Sequence, residues 1–138
     1  GGLAIANAAN ELLDRDMRIV LMAPAFGLAE NFQKIAGEKG LDEWENSGYR
    51  PYFHHGLNKE IKLNWDFMVS AQEMSWPKIN HPTVVIHGIS DEIVQIESSR
   101  KIAESNSNVE LIEVEDGHRL GKSLHFIPIA VEKVLSMR

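Results

Sequence analysis

The sequence contains no cysteine. That excludes disulfides, thiolate metal sites and a cysteine nucleophile, and it fits a reducing, cytoplasmic compartment. Positive charge is also scarce: 14 Lys and Arg stand against 20 Asp and Glu, for a net charge of −6. Nucleic acids and anionic membranes are recognised by basic patches, so this balance argues against both as partners. Long hydrophobic runs are missing too. The longest near-apolar stretch, Ile19 to Leu28, falls far short of the about 20 residues that a membrane span needs. No signal peptide, internal repeat or low-complexity tract is visible.

What is there is ordinary in bulk: 138 residues, 43% hydrophobic and 25% charged. This composition suits one globular domain or part of one. Apolar residues nearly surround a helix expected over residues 3–13, which implies burial on most of its sides. Residues 17–23, Met-Arg-Ile-Val-Leu-Met-Ala, form a short continuous apolar run between Asp16 and Pro24. That is the pattern of a strand covered on both faces, as in a parallel sheet. Residues 24–81 differ in character. They carry all three tryptophans and read as an insertion with short helices near 29–38, 41–47 and 64–75. Regular alternation then resumes, with a strand at 83–87, a helix at 96–104, a strand at 109–114 and a closing helix from 120 or 123 to 137. Strands alternating with helices predict an α/β doubly wound sheet.

The chemistry concentrates in residues 82–120. A buried-type strand ends in His87-Gly88 and is followed by Asp91. The next strand is followed by Asp116-Gly117-His118. In a parallel sheet, functional residues collect beyond the carboxyl ends of the strands. Asp91 lies four residues past His87, and His118 lies four past Val114, so both are expected at the same edge. A hydroxyl nucleophile is activated by a neutral imidazole whose tautomer a carboxylate fixes. An isolated Asp in such a loop is most often a cap or turn residue. The matched pair, in the order Asp then His, is much less expected by chance. Asp116 is an alternative partner for the imidazole, but two residues apart in a tight loop is poor geometry, which favours Asp91. Gly88 and Gly117 are expected to let the backbone turn sharply beside these positions.

These residues resemble the C-terminal signature of α/β-hydrolases, Pro-Thr-x-x-x-His-Gly-x-x-Asp-x-x-Val followed by a strand and Gly-His. Residues 18–27, Arg-Ile-Val-Leu-Met-Ala-Pro-Ala-Phe-Gly, are similar to the sixth strand and exit loop of small bacterial esterases. The stretch from Trp44 through Tyr49, Tyr52, His54 and Gly56 to Asp66 and Phe67 is similar to the YqiA/YcfP-like α/β-fold hydrolases, in particular their cyanobacterial-type members. The likeness covers essentially the whole chain. It implies the C-terminal half of one α/β-hydrolase domain: strands six to eight, flanking helices and a short helical cap at 24–81. It also implies a Ser-Asp-His triad in which Asp91 orients and His118 acts as general base. Such enzymes carry the serine in a Gly-x-Ser-x-Gly elbow. On this alignment Gly1 is the elbow's last glycine, so the nucleophile and the oxyanion hole would precede residue 1. No serine of the chain sits in an elbow context; Ser90 abuts Asp91 but lacks the closing glycine.

The expected activity is therefore hydrolysis of a small carboxylic ester or thioester, with no cofactor and no metal. Adjacent His54 and His55 point in divergent directions and lack an acidic partner at ligand spacing. His87 resembles the structural His-Gly of the family and is not assigned a catalytic role. Phe26, Trp44, Trp65 and Phe67 are candidates for an apolar acyl pocket, with the cap's own small core as the plainer reading of each. Glu92 and Arg100 read as a helix N-terminal charge and a surface anchor. A peptidase, a C–C hydrolase or a non-catalytic binding protein of the same fold are the alternatives, since fold alone never establishes activity. Residues 1–138 by themselves are expected to be inactive and to self-associate through an exposed sheet edge.

Overall fold

Residues 83–88, Thr-Val-Val-Ile-His-Gly, are buried at every position. A strand needs neighbours on both edges and cover on both faces to read that way. The computed structural model describes all of residues 1–138 and shows that environment. In chain order the elements are α1 (Gly2–Ala8), β1 (Ile19–Met22), α2 (Leu28–Ser47), β2 (Tyr49–His54), β3 (Lys59–Asn64), α3 (Trp65–Met74), β4 (Thr83–Gly88), α4 (Glu97–Ser105), β5 (Val109–Val114) and α5 (Phe126–Ser136). Residues 1–26 and 76–138 form one compact unit, and residues 27–75 form a second.

In the first unit, β1, β4 and β5 make a parallel sheet in the order β1-β4-β5. Gly88 pairs with Val114, so β4 and β5 end level and their exit loops leave the sheet side by side. Alternation along β4 sorts its side chains between two faces. Val84 and Ile86 pack with Val114, Leu120, Ala130 and Val134 in a core built on α5. Burying each such aliphatic side chain stabilises the fold by roughly 1.5–3 kcal/mol. His87 points to the opposite face, where its Nδ1 meets Ser99 Oγ of α4 at 2.7 Å. Pro128 sits in the first turn of α5, where a missing N–H costs no helical bond. β1 and β5 each have one strand partner, β4, so both are edges of this sheet.

The strands and helices expected at 17–23, 83–87, 96–104 and 109–114 are all present, the last with the expected ends and the others with shifted ones. The closing helix starts later than expected, at Phe126, because residues 116–125 form a turn-rich loop. The first helix ends at Ala8 and continues only as a single 3-10 turn, Ala9–Glu11. It is also less covered than its composition implied, since Ile5, Leu12 and Leu13 are exposed. Covering of β1 is likewise incomplete: Ile19 and Leu21 are buried, but Met22 is exposed.

In the second unit, the two helices expected at 29–38 and 41–47 are one element, α2, broken at Gly37. Gly37 adopts φ 69° and ψ 170°, a conformation open essentially to glycine alone. The antiparallel hairpin β2-β3, paired from Tyr49↔Asn64 to His54↔Lys59, occupies a stretch where the sequence pattern predicts a loop. Pro51 within β2 weakens the strand signal, and most hairpin residues are exposed, so little hydrophobic alternation marks it. The core of this unit is Ala29 and Trp44 of α2 with Met68 and Ala71 of α3. No helix of the chain is long and apolar enough to cross a membrane.

Candidate active site

Asp91 follows β4 in a tight turn closed by its own N–H to Gly88 O at 3.2 Å. Its side chain folds back over that turn. Oδ1 accepts the N–H groups of Ile93 at 2.9 Å and Val94 at 2.8 Å. Oδ2 is then aimed at the neighbouring loop after β5, where His118 Nδ1 lies 2.8 Å away. The Asp91 side chain is completely buried while that of His118 is 38% exposed. Burial by itself raises the Asp91 carboxyl; the bonds from Val94, His118 and Ile93 and the charge of His118 outweigh it and hold the group below the ordinary carboxylate value.

A carboxylate only accepts, so the shared proton is assigned to His118 Nδ1. That is the sole hydrogen bond of the ring, and Nε2 has no hydrogen-bond partner. A neutral imidazole oriented by a buried carboxylate, with Nε2 unengaged, is equipped to take a proton from a hydroxyl or a water.

The loop carrying His118 is held by Asp116, whose Oδ1 accepts from Gly117 N at 2.8 Å and whose Oδ2 accepts from Lys122 N at 2.8 Å and Ser123 Oγ at 3.0 Å. Desolvation opposes these bonds, yet they and the Lys122 charge keep its carboxyl below the ordinary value. Asp116 thus staples the loop, and the carboxylate facing the imidazole is that of Asp91. Leu120 adds an anchor. It takes a left-handed φ of 52°, strained for a bulky residue, while its side chain is buried in the α5-side core.

Gly88 matters for a different reason from the sharp turn expected of it. A Cβ there would lie 2.2 Å from Asp116 O and 2.7 Å from Asp116 C. The two loops touch backbone to backbone, and only glycine leaves room. Gly117 has no left-handed φ, and a Cβ there would meet nothing closer than Ser90 O at 3.9 Å.

Of the pocket candidates, Phe26 lies in the same unit as Asp91 and His118 and is 2% exposed. Trp44, Trp65 and Phe67 lie in the second unit. There Trp44 meets Trp65 edge-on at 5.5 Å, Phe32 meets Phe67 at 5.1 Å, and Trp44 Nε1 donates to Leu63 O at 2.9 Å. They build the core of residues 27–75. His54 Nδ1 accepts the N–H of Leu57 at 3.1 Å and His55 packs on Phe53, so both serve the hairpin turn. Arg100 makes a two-pronged surface bridge to Glu113. Beside Asp91 an open cavity of about 560 Å³ is lined by Ser90, Glu92, Gln95 and Glu97 among others. Sequence reasoning missed it, and missed that His87 also reaches Asp91, at 3.1 Å. The available signal was a lone histidine in an otherwise apolar strand, four residues before the acid.

Residues 2–133 match the Uncharacterised protein family (UPF0227). The chain belongs to that family. No curated protein matches the UPF0227 chain, but solved structures do. It is similar to a protein of Agrobacterium vitis S4 assigned to the hydrolases (TM-score 0.76, 18% identity, 99% of this chain and 58% of that one). It is similar also to mouse alpha/beta hydrolase domain-containing protein 10 (TM-score 0.75, 19% identity, 98% and 58%). A third is Est1E from Butyrivibrio proteoclasticus with bound ferulic acid (TM-score 0.73, 22% identity, 98% and 55%). The fold is therefore the α/β-hydrolase fold, in agreement with the resemblance drawn from residues 82–120. The UPF0227 chain spans between 55% and 58% of the length of these structures.

Proposed function

We propose that this chain supplies the acid–base part of a serine-dependent hydrolase acting on a small carboxylic ester or thioester. The observation that carries the reading is the 2.8 Å bond from His118 Nδ1 to the buried Asp91 Oδ2, at the carboxyl ends of two adjacent parallel strands. Likeness in fold to Est1E with bound ferulic acid, a carboxylic acid, supports a small carboxylic acid derivative as substrate. No hydroxyl of the chain hydrogen-bonds His118, and this reading takes the nucleophile to be a serine outside residues 1–138.

In the first step His118 Nε2 takes the serine proton as Oγ bonds to the acyl carbon, and the oxyanion is held by backbone N–H groups. The imidazolium then gives that proton to the departing alcohol or thiol as its bond to the acyl carbon breaks. Water repeats the sequence, regenerating serine and releasing the acid. Asp91 stays ionised throughout and stabilises the imidazolium.

The test is turnover of p-nitrophenyl esters and acyl thioesters by the intact protein, with fluorophosphonate labelling and peptide mapping. Turnover is expected to fall on the order of 10⁴-fold in His118→Ala and in Asp91→Asn, and the label to map to a serine outside residues 1–138. Residues 1–138 alone should show no turnover and should self-associate through the β1 edge. Undiminished hydrolysis by His118→Ala would sink the reading.

A further inference from the structure

His87 is the most deeply buried ionisable group in the protein, with no exposed surface, and the scheme above gives it no task. Its surroundings are fully polar-matched. Nε2 lies 2.8 Å from Val94 O and 3.1 Å from Asp91 Oδ2. Both are acceptors, so Nε2 carries a proton and donates to the two of them. On the far side of the ring, Nδ1 lies 2.7 Å from Ser99 Oγ. The hydroxyl has no other side-chain partner. A doubly protonated ring would donate to Ser99 and leave the hydroxyl proton with no acceptor in a site that excludes water. The neutral Nε2–H tautomer pairs every group: Ser99 donates to Nδ1, and Nε2–H donates to Val94 and Asp91.

Counting donors on Asp91 gives the consequence. Oδ1 receives Ile93 and Val94 N–H, and Oδ2 receives the N–H of His87 and of His118. Four donors fill the four acceptor positions of a carboxylate. Three of them come from the β4 strand and its own exit turn. They would hold the carboxylate in its rotamer whether or not His118 was in place.

We propose that His87 is a positioning residue: locked as the Nε2–H tautomer by the Ser99 hydroxyl, it delivers a buried second N–H to Asp91 Oδ2 and so fixes the carboxylate that His118 uses. This rests on the reading of Asp91 and His118 as an acid–base pair. The carboxylate's ionisable partners are the two imidazoles, and Glu92 and Glu97 line the open cavity next to it.

The primary experiment needs no variant. Nitrogen-15 NMR of the imidazole rings in the intact wild-type protein reads the tautomer at neutral pH. His87 is expected as neutral Nε2–H with Nδ1 unprotonated; an Nδ1–H or doubly protonated ring overturns the proposal. Carbon-13 NMR of the Asp91 carboxyl in two variants then tests the coupling. In His87→Leu, which removes the donor, Asp91 should titrate roughly half to one pH unit higher, the equivalent of one hydrogen bond. In His87→Gln, whose amide N–H can replace Nε2–H, it should stay near the wild-type position. An unmoved Asp91 in His87→Leu, or an equal displacement in both, overturns the positioning role. If His87→Leu does not fold, the wild-type tautomer and the Gln variant still decide. None of these readouts requires turnover, so failure of the hydrolase reading in the ester assay remains separable. Where turnover is present, His87→Leu should lose about tenfold in kcat with KM unchanged, and His87→Gln should recover it.

Discussion

Replacing Gly88 with alanine should damage both stability and the Asp91–His118 pair, and the size of the effect follows from three distances. The added Cβ would sit 2.2 Å from Asp116 O, 2.7 Å from Asp116 C and 2.9 Å from Gly117 O. A comfortable carbon–oxygen contact is about 3.3 Å, so the loops must separate by roughly 1 Å. These are backbone atoms and cannot swing aside as a side-chain tip would. They are also tied down: Ile89 N–H donates to Val114 O at 2.9 Å and Ser90 N–H to Asp116 O at 3.1 Å, and the Asp116 staple holds the loop from the other side. Overpacking of this kind costs about 1–3 kcal/mol. Moving the His118 loop by roughly 1 Å would stretch its bond to Asp91 beyond hydrogen-bonding range and cost on the order of 100-fold in kcat. Because Gly88 has no left-handed φ, any loss reports the contact and not backbone strain. Urea denaturation and ester turnover of the intact protein measure the two effects. Gly121→Ala is the control, since its Cβ would meet nothing within 4 Å, and it should lose neither. Wild-type stability and turnover in Gly88→Ala would refute the close-approach argument.

Asp91 and Asp116 both ionise more readily in the folded protein than ordinary carboxyls do. Depressed groups of this kind contribute stability that is complete above the unfolded carboxylate value of about 3.9 and is lost as pH falls through the lower folded value. The urea midpoint should therefore drop on acidification below about pH 4, and Asp91→Asn should flatten that dependence while lowering stability at neutral pH. Trp44 is 1% exposed and central to the 27–75 core. Trp44→Ala should cost that unit about 3–5 kcal/mol, seen as rapid proteolysis within residues 27–75. Resistance equal to wild type would count against its core role.

How much of this was legible depended on the kind of signal. The run of residues 83–88 announces itself because a central parallel strand is apolar on both faces, 109–114 shows through its β-branched and apolar Val109, Leu111, Ile112 and Val114 although it is an edge strand with two glutamates, and Asp91 and His118 follow from their distance past the strand ends. The helices α4 and α5 were visible in outline, though Ser123 reads equally well as a helix start or as the Asp116 ligand it is. The hairpin β2-β3 was illegible because its two strands are largely exposed and one contains Pro51. Its stability comes from cross-strand bonding and from packing Trp44 against Leu63 and Trp65, and local sequence does not encode these contacts. The break at Gly37 shows as one glycine among several, and nothing nearby says which one takes the left-handed backbone.

By itself the sequence determined the parallel α/β core and the order of acid and base along it, since hydrophobic period and strand-end spacing are local properties. Only the tertiary structure decided that Asp91 and not Asp116 faces His118, that Gly88 is required by a neighbouring loop rather than by its own turn, and that His87 shares the same carboxylate oxygen. The first two depend on the level register of β4 and β5, which brings Asp91 to His118, 27 positions on, and Gly88 to Asp116, 28 positions on; the third depends on the turn that folds Asp91 back over β4 and on the cost of leaving a buried carboxylate, imidazole or hydroxyl unpaired.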